Sequence, residues 1–413
     1  MEIRNIRNIR KTSICLILHT LFIVLSCGIV EVGAPQDDSN GVWIHPSQGE
    51  NGGIPGAKPV CYMTTLEYPP GYNWKSDPEA GQVKCSLVVY ADGKAKMKLA
   101  VGDKYNVSSD ADMHMIVRGH LFTEYSTDTQ TIVKQDGVES FRFSGREDIC
   151  ALTMDGTDIY TLGNSRTGSG FSYRKNGQTL LSRKYARAYE RLYIDEQGKL
   201  SFCFCESVSS QYSSLERHYL VNDTIVKQVA IRDDIRKVWD VAPHGDAVVY
   251  IAGVRGIEGL LLVNGEHLTA LDIPSGSSVL SARLIPSEDC FYVEAVVRTG
   301  SSVTTVIWKE GIIHQVFPEG FTPSFCGLIE ESLCCILNSG TGGGIVSKDG
   351  ENSALPAGYV TIGKNPAALV NGILTIGLSS TMGGFPAIWR EGEEQTLKIN
   401  GFISSVSSFG ALP

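Results

Sequence analysis

Short apolar runs in which every second residue faces the same way fill residues 85–409, and turn residues interrupt them at a steady interval. The recurring shape is an apolar or aromatic pair, one or two polar residues, then Asn-Gly, Asp-Gly or Glu-Gly. Its copies are VVYADGKAK, IVKQDGVES, YRKNGQTLL, YLVNDTIVK, LLVNGEHLT, IWKEGIIHQ, IVSKDGENS and IWREGEEQT, aligned on Gly93, Gly137, Gly177, Asp223, Gly265, Gly311, Gly350 and Gly392. The spacings are 44, 40, 46, 42, 46, 39 and 42 residues. Asn-Gly and Asp-Gly between apolar runs predict two-residue β-hairpins, because both turn positions need φ > 0. Asn222-Asp223 is the departure and predicts a different turn there.

Each hairpin is half of a larger unit. An earlier strand precedes most copies (DIYTLG at 158–163, DAVVYIAG at 246–253, SLCCILN at 332–338), and another short apolar stretch follows (DICALTM, RLYID, VLSARLI). Four short strands per ~40–45 residues predict an all-β fold of propeller blades. The period-2 pattern excludes a solenoid of helix pairs, and tandem immunoglobulin-like domains need ~100 residues each. Eight hairpins predict eight four-stranded blades; seven is the alternative if the Gly93 copy only decorates the ring. The first hairpin has no strand of its own upstream to serve as innermost, and the last is followed by GFISSVSSF (401–409), a strand with no blade of its own. Pairing the two ends closes the ring and removes both free edges.

The D-I-Y-T-L-G strand followed by Y-R-K-N-G resembles a propeller repeat of extracytoplasmic proteins of Bacteroidetes, in which a D-V-Y-x-A-G-like strand precedes a W-K-N-G-like hairpin. The resemblance covers about residues 85–409, is strongest over 158–177, 246–265 and 372–392, and is weakest over 332–350. It implies a cell-envelope propeller and carries no catalytic motif with it.

The N-terminus departs from the pattern. Arg4, Arg7, Arg10 and Lys11 precede an apolar run, Thr12 to Leu25, too short for a comfortable membrane span. It ends in VLSCG, which resembles a bacterial lipoprotein signal with Cys27 as the lipidated residue. The expected organisation is a signal peptide (1–26), a Gly/Pro/Asp/Ser-rich tether (27–58) and a propeller (59–413). Cleavage near Ala34 and simple secretion or periplasmic release is the alternative; for an outer-membrane lipoprotein the side of the membrane stays open. Val42-Trp43-Ile44 interrupts the tether and reads as a short strand or a sticky linker.

Composition narrows the chemistry. The chain has 413 residues, a net charge of −9 and no basic run outside the N-terminal segment, which argues against nucleic acid as a partner. Cys150, Cys203, Cys205, Cys290, Cys326, Cys334 and Cys335 lie in apolar strand stretches and read as small core residues. Cys61 and Cys85 flank an irregular segment and are the one disulfide candidate. Paired C-x-x-C zinc spacing is missing, and neither a metal nor another cofactor is expected. GTGGG at 340–344 lacks the Lys-Ser/Thr of a phosphate loop. Gly163-Asn164-Ser165-Arg166-Thr167 lacks the second glycine of a nucleophile elbow. No catalytic residue can be assigned.

The loops opposite the hairpin turns are the expected binding face. Arg166, Arg255 and Arg298 stand at similar places in three second-to-third-strand loops. SRKYARAYERLY (182–193) adds Arg183, Lys184, Arg187 and Arg191, interleaved with Tyr185, Tyr189 and Tyr193. Guanidinium forks suit carboxylates and sulfates, and tyrosine faces suit sugars; against this, surface arginines also serve solubility. A second aromatic cluster, CYMTTLEYPPGYNW (61–74), offers Tyr72 and Trp74 as a docking platform if exposed, or a lid if packed. The preferred expectation is a non-catalytic, lipid-anchored propeller binding a glycan or protein partner. A polysaccharide hydrolase or lyase and a structural subunit of an envelope assembly are the alternatives; the last predicts an apolar patch on the outer blades.

Overall fold

A computed structural model describes residues 60–73, 85–100, 114–117, 120–126, 129–166, 170–189, 191–194, 199–210, 213–223, 225–244, 247–254, 259–287, 290–329, 331–361, 366–381 and 384–409. The signal, tether and lipidation expectations at 1–59, including Cys27, fall outside them, as do Trp74 and Arg255.

Eight antiparallel sheets form a β-propeller. We number the blades in chain order: blade 1 spans 60–100 with 401–409, then 114–144, 147–184, 186–228, 235–271, 277–316, 321–355 and 359–396. The ring closes as expected. Gly401–Phe409 is the innermost strand of blade 1 and pairs antiparallel with Val60–Glu67. That second strand, Val60–Glu67, was not legible as one: half of the stretch expected as an aromatic loop is a buried strand, and Tyr62 and Tyr68 lie in the core.

Each sheet is sandwiched by neighbours, so the apolar core is divided into eight clusters, one between each pair of adjacent blades. Leu162, Phe171 and Tyr173 of blade 3 meet Phe202, Phe204 and Val221 of blade 4; Leu260, Leu262 and Val249 of blade 5 meet Trp308, Val293 and Leu284 of blade 6. Burial on both faces explains why second strands such as FYVEAVVRT carry almost continuous apolar runs. It also separates Cys61 from Cys85. The two are free thiols buried in different clusters on opposite faces of blade 1. Cys85 adjoins the Glu67↔Ser86 pair, six residues along the strand from Cys61, or ~20 Å. A disulfide needs Cα atoms within about 7 Å, so the expected bridge is corrected.

The repeated turn pair does more than reverse the chain. Asp92, Asp136, Asn176, Asp223, Glu310 and Asp349 all take φ between 47° and 54°. Each carboxylate or amide oxygen accepts the N–H of the first residues of the blade's second strand: Cys61 at 3.0 Å, Leu121 at 2.8 Å, Ile159 at 2.8 Å, Leu200 at 3.1 Å, Phe291 at 2.6 Å and Leu333 at 2.8 Å. In return each turn residue donates its own N–H to the carbonyl of the same partner. The outer hairpin is thereby clamped to the inner one. Asp223 therefore holds the first turn position, not the glycine position given to it in the sequence alignment.

First strands carry bulges where the chain turns along the axis. The extra residue satisfies itself: Cys150 Sγ donates to Leu162 O at 3.3 Å, Ser324 Oγ to Ile336 O at 3.3 Å and Ser404 Oγ to Thr64 O at 3.2 Å. In blades 4 and 8 the first strand is broken, into Ala186–Ala188 with Tyr193–Ile194 and Tyr359–Val360 with Ala367–Val370. At each break an asparagine from the preceding blade bonds the free backbone on both sides. Asn164 Oδ1 accepts Ala188 N–H at 2.9 Å and its Nδ2 donates to Ala188 O at 3.3 Å. Asn338 does the same for Thr361, at 3.2 Å and 3.3 Å.

The clamp is testable at Asp349. Asp349→Ala leaves the Leu333 N–H without its acceptor and puts alanine at positive φ, an expected loss of about 1–3 kcal/mol. Denaturant unfolding should show it, with accelerated amide exchange at Leu333, and Asp349→Asn should restore most of the loss.

Candidate functional site

The face opposite the clamped hairpins carries the second-to-third-strand loops and the blade-to-blade crossings. At the crossing from blade 3 to blade 4, the outer strand Gln178–Lys184 and the innermost strand Ala186–Ala188 are joined by one residue, Tyr185. So abrupt a link forces Tyr185 to φ +59°, a conformation costly for a bulky side chain. Its carbonyl accepts Ser207 N–H at 3.0 Å, and its ring is 69 % exposed.

Charge gathers around this ring. Arg183, Lys184 and Arg187 are exposed beside it. The register sets Ala186 opposite Glu206, and Glu206 opposite Arg217, with Arg187 one rung away. Arg183 Nε lies 3.6 Å from Glu206 Oε1, a loose pair at the surface. Arg183 and Arg217 thus stand by Glu206, while Arg187, opposite Cys205, lies on the other face of the strand.

The other expected ligands are elsewhere. Arg166 is largely buried, with Nη2 3.7 Å from Asp148 Oδ1. Arg298 lies in the second strand of blade 6, between Ser278 and Val303. Tyr189 turns inward, its hydroxyl 2.9 Å from His218 Nδ1 and its ring stacked on the imidazole. Tyr72 packs on Tyr68 in blade 1, and Asn400 Nδ2 donates to the carbonyls of Pro69 at 2.6 Å and Tyr72 at 2.9 Å. The stretch around Tyr68 is therefore a packed lid. Of the predicted circle of arginines, Arg183 and Arg187 stay exposed, on either side of exposed Tyr185 in the chain.

Arg191 was grouped with the surface arginines of the 182–193 segment; it is buried. Arg191 Nη2 donates to Asp240 Oδ2 at 2.5 Å and to Leu284 O at 2.9 Å, and Asp240 Oδ2 also accepts Leu284 N–H at 2.7 Å. One guanidinium therefore ties together blades 4, 5 and 6. Burial disfavours its charge, but Asp240 outweighs this and holds the pKa above its usual value. Arg283 repeats the device from blade 6 to blade 7, donating to Glu294 at 2.6 Å and to Cys326 O at 2.7 Å. Arg174 pairs with buried Glu147 within blade 3. These residues went unrecognised, although single charges inside apolar runs (VWDVAP, SARLIP, YVEAVV) were a signal. In these three pairs each buried carboxylate is neutralised by an arginine, which makes them structural.

Comparison with known proteins agrees with the architecture. No family model matches the chain, and no curated protein matches it. Among solved structures, the dihydro-heme d1 dehydrogenase NirN in complex with DHE is similar over 83 % of this chain and 74 % of its own, with 6 % identity and a TM-score of 0.51. BamB from Moraxella catarrhalis matches over 75 % and 90 %, with 10 % identity and a TM-score of 0.44. Apo AztD from Citrobacter koseri matches over 85 % and 99 %, with 9 % identity and a TM-score of 0.46. At 6 % identity the likeness to NirN shows the fold alone.

Two outcomes follow. Tyr185→Gly removes a strained φ and should stabilise the fold by about 1 kcal/mol in denaturant unfolding. His218 is 2 % exposed, and burial depresses its pKa to about 4 from 6.5. Between these values the unfolded chain binds the extra proton, so stability is full above pH 6.5 and falls as pH drops towards 4. His218→Phe should flatten that part of the stability–pH curve.

Proposed function

We propose that this chain is a non-catalytic, envelope-anchored binding propeller, held by a lipid on Cys27, which takes an acidic glycan on the Arg183–Arg187 segment. The observation that carries this reading is an exposed tyrosine ring, held at positive φ, between two exposed arginines. A sugar ring stacks on Tyr185, while uronate or sulfate groups take the guanidinium forks of Arg183 and Arg187. The buried Arg–Glu and Arg–Asp pairs supply rigidity for the platform. Membership of the Bacteroidetes-type envelope repeat proteins belongs to this same reading.

Binding of fluorescent polygalacturonate and sulfated oligosaccharides, with neutral dextran as control, tests it by anisotropy. Acidic glycans should bind, lose affinity as salt rises, and weaken about tenfold or more in Arg183→Ala/Arg187→Ala and in Tyr185→Ala. Equal binding of dextran, or acidic binding untouched by these substitutions, overturns the proposal. Preference for an acidic peptide over every glycan overturns the ligand class and leaves a protein partner.

A further inference from the structure

Blade 7 sets two thiols face to face. Cys326 lies in its innermost strand, Phe321–Ile329, and Cys335 in its second, Ser332–Ser339. The register puts them directly opposite each other. Both are 0 % exposed, and both point into the seam with blade 6, among Ile285, Ile307, Leu328 and Leu337. Cys334, one residue along, turns to the blade 8 seam and stands opposite Gly327. Among the described residues no other two cysteines are ladder partners: Cys203 faces Leu220, and Cys205 faces Arg187 and His218.

The hydrogen bonds fix which kind of rung this is. Cys326 O points away from the second strand, since it accepts Arg283 Nη2 at 2.7 Å. Leu333 turns both its N–H and its carbonyl to Asp349, on the side of the third strand. Bonding direction alternates along a strand, so Cys335, two residues on, turns its own groups the same way, to Ser347. The Cys326–Cys335 rung therefore exchanges no main-chain bonds. At such rungs the side chains come closest, with Cα atoms ~4.5 Å apart. Disulfides span Cα distances of about 4.4–6.8 Å, the requirement that Cys61 and Cys85 fail. Burial, and the hydrogen bond with the Cys335 thiol beside it, hold the Cys326 thiol well above its ordinary pKa. In the closed seam this sulfur stays protonated and is a poor nucleophile.

We propose that Cys326 and Cys335 are a redox modification site, which a small disulfide oxidant converts to an intramolecular disulfide stapling the innermost strand of blade 7 to the second. One cysteine thiolate attacks a sulfur of the oxidant and expels a thiolate, giving a mixed disulfide. The other cysteine thiolate attacks the protein sulfur of that intermediate and expels the remaining half. The pair loses two electrons and two protons; the oxidant takes the electrons, and the protons pass through water to its two released thiolates. Neither sulfur is reachable in the closed seam, so the exchange takes place while the seam between blades 6 and 7 is open. The staple falls on the residue whose carbonyl receives Arg283, and so fixes the point at which blade 6 is tied to blade 7. The site lies in the core, apart from the Tyr185 face, and does not depend on the glycan reading.

The test refolds the intact chain from urea in mixtures of reduced and oxidised glutathione, alkylates the remaining thiols and digests the product unreduced. Glutamyl endopeptidase cuts at Glu330 and Glu331, between the two cysteines, so a bridge joins two fragments that dithiothreitol releases. Fragment mass spectra should place the bridge between Cys326 and Cys335 in chain that has regained its folded circular dichroism. Cys335→Ala should abolish the joined species, and Cys334→Ala should leave it. Folding holds the sulfurs together, so the bridge should survive glutathione mixtures at least about tenfold more reducing in buffer than in urea. Absence of the bridge from folded chain at every mixture, a bridge through Cys334 or Cys290 instead, or equal reducibility in buffer and urea overturns the proposal. The fragment map of the unsubstituted chain decides even where Cys335→Ala does not fold.

Discussion

The pairing of Val60–Glu67 with Gly401–Phe409 is the constraint on which the rest of this molecule stands. A blade in the middle of the chain is covered on both faces by its neighbours, but the first and last in sequence are covered only if the ring shuts. Without that strand pair, the clusters around Leu66 and Phe402 and around Met63 and Ile403 open to water. The pairing is long-range in sequence, so closing it costs more loop entropy than pairing strands within one blade. The clamp found at six outer turns acts at much shorter range. In six blades it ties the outer hairpin to the second strand by contacts within one repeat.

Local chemistry decided what the sequence could reveal. The turn pairs were visible because φ > 0 restricts residue choice to a few types, and the closing strand was visible because GFISSVSSF had no hairpin of its own. Val60–Glu67 was hidden: VCYMTTLE has aromatic and polar residues in no clean alternation, since both of its faces are buried by different partners. The broken first strands of blades 4 and 8 were hidden for a related reason. Asn164 and Asn338 replace ladder bonds with side-chain bonds, and a lone asparagine at a strand end looks like any turn former.

The surface was less legible than the core. Arginines at matching loop positions suggested a circle, yet position in the repeat does not decide whether a guanidinium points to water or to a carboxylate. Arg166 found Asp148, and Arg191 found Asp240 in the interior. Arg187 stays outside because it alternates with buried Ala186 and Ala188, and Arg183 because it lies on the exposed outer strand.

The two interrupted staves lie half a turn of the ring apart, four blades from one another. Each has fewer main-chain rungs at the axis than its neighbours and depends on one amide side chain for continuity.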